Sequence, residues 1–174
     1  MKAIGIVGSP RRNGNSALLM NNILSGLKEN FKIESIFLKD LNIKPCEACH
    51  YCIKEGKCII NDDMQELFLK IKEAKVIILS SPVHMGGITS LLRKFMERMW
   101  HLRKGQLKNK LGSYVIVGRR DIGVAVNEIE EFLTRLKIIK IPGIIGYGFN
   151  KGDIKKDEEA LKNAQRLTSQ ILSL

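Results

Sequence analysis

Outside residues 46–58 the 174-residue chain has no cysteine, so no disulfide can staple distant parts of it together. It also lacks any stretch near the roughly 20 apolar residues of a membrane span. Its first residues, MKAIGIVGSP, carry one lysine before a short apolar run that ends in a loop, which is not the pattern of a targeting segment. No internal repeat, low-complexity tract or interdomain linker divides the sequence. These absences predict one domain, residues 1–174, long enough to bury its own core and placed in the cytoplasm, where thiols stay reduced.

Acidic residues are outnumbered, 18 against 29 Lys and Arg, for a formal charge of +11 and a pI near 9.6. The lysines are nevertheless scattered among acids rather than gathered into a basic arm, and no recognition helix is visible, so nucleic acid is not the expected partner. A bound phosphate monoester would offset about two of the positive charges. The remaining field suits steering of an acidic redox partner.

The four cysteines, Cys46, Cys49, Cys52 and Cys58, follow the spacing C-x2-C-x2-C-x5-C. Three cysteines at three-residue steps can wrap a compact multi-iron cluster, and a fourth closes the cage. Zinc sites more often use two C-x2-C knuckles with a longer spacer, which is missing here. The spacing favours an iron–sulfur cluster over zinc, and zinc over disulfides. It departs from the ferredoxin run at its end, where five residues precede the last cysteine and Ile59 stands in place of proline.

Apolar runs at 3–8 (AIGIVG), 32–38, 76–81 (VIILSS), 113–118 (SYVIVG) and 142–146 read as strands. Between them lie helical patterns: from a Ser16 N-cap to about Asn30, from an Asp62 cap through Ile71, from Thr89, from Val124 to Leu136, and from Asp157 to Leu172. Strict alternation predicts a five-stranded parallel sheet covered on both faces. Ligands of such sheets sit beyond the carboxyl ends of the strands, which singles out loops 9–16, 82–87 and 118–123.

The first loop, GSPRRNGNS, offers backbone amides, a helix N-terminus and the side chains of Ser9, Arg11, Asn13, Asn15 and Ser16 to one anion. It is not a P-loop, having no lysine for the outer phosphates of a triphosphate, and Ser9-Pro10 occupies the turn that dinucleotide-binding glycines would make. A terminal monophosphate fits best. The second loop, Pro82, Val83, His84, Met85, Gly86 and Gly87, combines a stiff exit with glycines that let the backbone approach a flat ring. His84 and Met85 are equally compatible with surface and packing roles. Arg119 and Arg120 in the third loop are a weak signal, and Trp100 and His101 read as packing or capping residues.

The GSPRRNGNS loop, the SPVHMGG segment and a GYG…GD…DEEA tail together resemble the NADPH-dependent FMN reductase group of flavodoxin-like proteins. The compact cysteine segment, inserted at 44–61, narrows the resemblance to the iron–sulfur flavoproteins of anaerobic archaea and bacteria. That resemblance implies a flavodoxin-like three-layer sandwich. It places the FMN phosphate in loop 9–16, the flavin ring against Pro82–Gly87, and a 4Fe-4S cluster on the four cysteines. It also implies homodimers or homotetramers in which the cluster of one subunit approaches the flavin of another.

A protein holding both groups would carry electrons from a low-potential, ferredoxin-like donor to a small-molecule acceptor such as oxygen or peroxide. Two other classes fit parts of the sequence: an NAD(P)H-driven FMN or quinone reductase with a structural metal, and a cluster-based redox sensor.

Overall fold

The computed structural model describes residues 1–174, all of the chain. Strands β1 (Lys2–Val7), β2 (Lys32–Phe37), β3 (Val76–Pro82), β4 (Leu111–Gly118), β5 (Ile139–Lys140) and β6 (Ile144–Tyr147) alternate with helices α1 (Asn15–Gly26), α2 (Tyr51–Glu55), α3 (Met64–Glu73), α4 (Ser90–Arg98), α5 (Gly123–Arg135) and α6 (Glu158–Leu172). All strand pairings are parallel, in the order β2-β1-β3-β4-β5, with β6 also on β4.

The strands are apolar on both faces because both faces are covered. Ile4, Ile6, Ile77 and Leu79 point to a core of 26 buried residues shared with α3, α4 and α5. Ala3, Val7, Val76 and Ile78 point to one of 21 shared with α1 and α6. Comparable cores on either side make the expected three-layer sandwich. No helix is long and apolar enough to cross a membrane.

The expected fifth strand is two short ones. The register on β4 shifts by one residue between Gly112↔Lys140 and Val115↔Ile144, a bulge of the chain at 141–143. Pro142 has no amide to donate there. A Cβ on Gly143 would lie 2.3 Å from the Tyr114 ring, so only glycine lets the chain pass that side chain. Other boundaries moved less. Helix α1 ends at Gly26 rather than near Asn30, and its N-cap is Gly14, not Ser16. Helices α4 and α6 begin where expected, and Thr89 and Asp157 cap them, each accepting a backbone N–H from the first turn. The one-and-a-half-turn helix α2, inside the cysteine segment, was not anticipated.

From β1 the chain moves to β2 on one side and then to β3 on the other. The connections therefore part above the β1/β3 boundary, which opens a crevice at the carboxyl edge of the sheet.

Candidate functional site

A crevice of about 320 Å³ lies at that edge. Four strand ends supply its walls: Ser9 to Arg11 and Gly14 to Ser16 after β1, Pro82 to His84 after β3, Gly118 and Arg119 after β4, and Gly148 and Phe149 after β6. Its floor is pinned by Thr89, whose hydroxyl donates to the Gly8 carbonyl at 2.8 Å and whose amide donates to Ser81 Oγ at 3.1 Å.

The first loop is shaped from within. Ser9 Oγ donates to the Arg11 carbonyl at 2.8 Å and accepts the Arg11 amide at 3.1 Å. Asn15 Oδ1 accepts from the Gly152 amide and Nδ2 donates to the Asn150 carbonyl, both at 2.9 Å, so this side chain anchors the loop after β6. Ser16 differs. Its residue is 2% exposed or less, and its hydroxyl is buried without a partner at the amide end of α1. Beside the free N–H groups and partial positive charge of that helix end, an unpartnered hydroxyl has the chemistry to donate to an anion.

Residues 84–87 close on themselves, His84 and Gly87 exchanging amide–carbonyl bonds at 2.9 and 3.1 Å. Met85 and Gly86, with φ of 50° and 84°, form the tight turn between them. The turn is held from behind by Glu128, which accepts the Ile88 amide at 3.0 Å and pairs with Arg93. Across the crevice the Arg119 guanidinium lies 5.0 Å over the Phe149 ring.

A second cavity, about 470 Å³, is lined by all four cysteines together with Ile59, Ile60 and Trp100. The backbone reaches this shape through left-handed conformations at Ala48 (φ 51°) and His50 (φ 57°), on either side of Cys49. Such conformations are costly for residues with a Cβ and are retained where a site demands them. Burial, and then the neighbouring Cys58, Cys46 and Cys49, push the Cys52 thiol above its ordinary pKa. Ionising all four thiols on one cavity would set like charges against one another, and a cationic centre among them would relieve that repulsion. No three His, Cys, Asp or Glu side chains are gathered tightly enough to hold a single metal ion.

The family described as NADPH-dependent FMN reductase matches residues 1–150. An iron–sulfur flavoprotein of Methanocaldococcus jannaschii is 39% identical over 98% of this chain and 95% of its own. The chain belongs to the iron–sulfur flavoprotein family. Another member, from Archaeoglobus fulgidus, is 31% identical over 98% of this chain and 79% of its own. A flavodoxin from the domain Archaea shares the fold, with a TM-score of 0.64 at 18% identity over 98% of this chain and 96% of that one.

In this iron–sulfur flavoprotein the structure brings together Ser9, Arg11, Asn15, Ser16, Pro82, Val83 and His84 on one crevice. It does not bring in Asn13, Gly86, Gly87 or Met85, the last of which is wholly exposed. Asn15 serves the adjoining loop rather than standing free as a donor. Gly148 and Phe149 were missed. Their signal was the GYG…GD…DEEA tail, in which Asp153 accepts the amides of Phe149 and Asn150 at 3.1 and 2.7 Å, and Asp157 that of Tyr147 at 2.7 Å. Trp100 does not pack in the core; it is 42% exposed on the cysteine cavity. His101 does pack, edge-on to Phe68.

Proposed function

We propose that this flavin-dependent oxidoreductase holds FMN in the β1/β3 crevice and a 4Fe-4S cluster on Cys46, Cys49, Cys52 and Cys58. In this reading it passes electrons from a low-potential, ferredoxin-like donor to a small-molecule acceptor such as oxygen or peroxide. The observation that carries the proposal is that four thiols spread over thirteen residues line one cavity.

The crevice fits a flavin mononucleotide. Ser16 Oγ and the amides opening α1 would bind the phosphate, with Arg11 supplying positive charge. Pro82 and Val83 would back the ring, and the Arg119–Phe149 wall would limit its access to water. Bound, FMN exchanges electrons singly or in pairs and the cluster singly, so one protein can join a one-electron donor to a two-electron acceptor. Ile59 and Trp100, 55% and 42% exposed at the cysteine cavity, support assembly into dimers or tetramers that would cover them.

Anaerobic purification followed by iron, sulfide and flavin counts tests the reading. About four iron, four sulfide and one FMN per chain are expected. Zinc without labile sulfide, or a chain that takes up no flavin, would overturn it.

A further inference from the structure

The cysteine segment leaves the fold near Lys44 and returns through Ile60 to Asp62, and one side chain grips both ends. Arg98, the last residue of α4, donates from Nη1 to the Lys44 carbonyl at 2.9 Å and to Asp62 Oδ2 at 2.5 Å. From Nη2 it donates to the Ile60 carbonyl at 3.3 Å and to Asp62 Oδ1 at 3.0 Å. The Asp62 carboxylate completes the ring by accepting the Lys44 amide at 2.9 Å and the Met64 amide at 3.1 Å.

A guanidinium has five N–H groups. Four bonds account for the four on Nη1 and Nη2, and the fifth, Nε–H, is buried with no partner. The Arg98 side chain is 0% exposed, so bulk water does not reach it. Buried donors without acceptors are rare and call for an explanation. Cys58 lies two residues before the Ile60 carbonyl that this guanidinium grips; burial disfavours the charged form of Arg98, and Asp62 and then Cys58 favour it, with the net direction up.

We infer that Arg98 is a positioning residue for the cysteine cavity, tying both ends of the segment with four N–H groups and reserving the fifth for the Cys58 sulfur once that sulfur carries a ligand's negative charge. The inference rests on the cluster reading given above. Hydrogen bonds to ligand sulfurs stabilise the more negative, reduced state of a cluster and raise its potential. The same side chain therefore governs how firmly the metal group is kept and how readily it accepts an electron.

The test uses anaerobically purified holoprotein of Arg98→Gln and Arg98→Lys beside the unaltered chain. Flavin content reports the fold, because the crevice residues lie on other loops. The cluster midpoint potential, from a redox titration followed by electron paramagnetic resonance, and the rate of iron release to a chelator report the role. Both variants should keep FMN, shift to a more negative potential and lose iron several-fold faster, Gln more than Lys. If Gln does not fold, Lys decides, since it keeps a positive charge opposite Asp62. Unchanged potential and release rate would refute the role of Arg98 and leave the cluster reading standing. An unaltered chain without iron would sink that reading itself.

Discussion

Arg98 and Asp62, 36 residues apart in sequence, face each other with side chains 0% and 1% exposed and share two hydrogen bonds. A pair so dry is weak evidence for stability, because desolvation offsets most of the attraction, yet removing one partner strands the other. Burial alone would raise the Asp62 carboxyl pKa. The bonds from Arg98 and from the Lys44 and Met64 amides outweigh that effect, and the net direction is down.

The first prediction concerns acid. A carboxyl depressed in the folded state stabilises it above the unfolded value, about pH 4, and that contribution disappears as pH falls through the lower folded value. Asp62→Asn should cost about 3 kcal/mol in metal-free protein at pH 7. Urea titrations should show the difference from wild type shrinking below about pH 4. A gap that stays constant down to acid would rule out this assignment.

Ser16→Ala removes a buried hydroxyl whose only use in the fold is to face the crevice. A hydrogen bond to a charged group is worth about 1.5–3 kcal/mol, so flavin titrations should show FMN bound about ten- to a hundred-fold more weakly. The midpoint of apo unfolding should hardly move. Undiminished affinity would mean that the phosphate sits elsewhere.

Gly143→Ala places a methyl 2.3 Å from a carbon of the Tyr114 ring. Burial, and then the Glu130 carboxylate, push the pKa of the Tyr114 hydroxyl up to about 12, and a ring so enclosed has little room to move aside. Overpacking of this kind costs roughly 1–3 kcal/mol, which chemical denaturation can measure. A neutral result would show that the strand 141–143 bends away freely.

Cys52→Ala should abolish iron and sulfide binding while flavin content and near-ultraviolet dichroism persist, since none of the crevice residues lies in the 46–58 segment. Iron retained at full stoichiometry would exclude Cys52 as a ligand.

What could be read from the sequence was what neighbours along the chain decide. VIILSS is a strand because both its faces are buried, and Thr89 caps a helix because its hydroxyl reaches an amide three residues on. The Ser9–Ser16 loop was legible for the same reason, although Ser16 proved to be the free donor rather than the cap. Long-range contacts left no such trace. Nothing in the pattern around Arg98 announces Lys44, Ile60 or Asp62, and Trp100 resembles any apolar residue at a helix end until the cysteine segment folds against it. Helix α2 is too short for its own periodicity to declare it. The break at Pro142 became visible only once Tyr114 stood opposite Gly143.

Helix α4 ties Thr89, bonded to Ser81 of β3 at the floor of the β1/β3 crevice, to Arg98, bonded to the cysteine segment. Its nine residues make it a ruler about 13 Å long. Inserting or deleting a single residue would rotate everything beyond the change by about 100° and swing the guanidinium away from both carbonyls it grips. Loops elsewhere in such a protein are free to grow or shrink over evolutionary time; the stretch between these two residues has a phase as well as a length, and neither can drift alone.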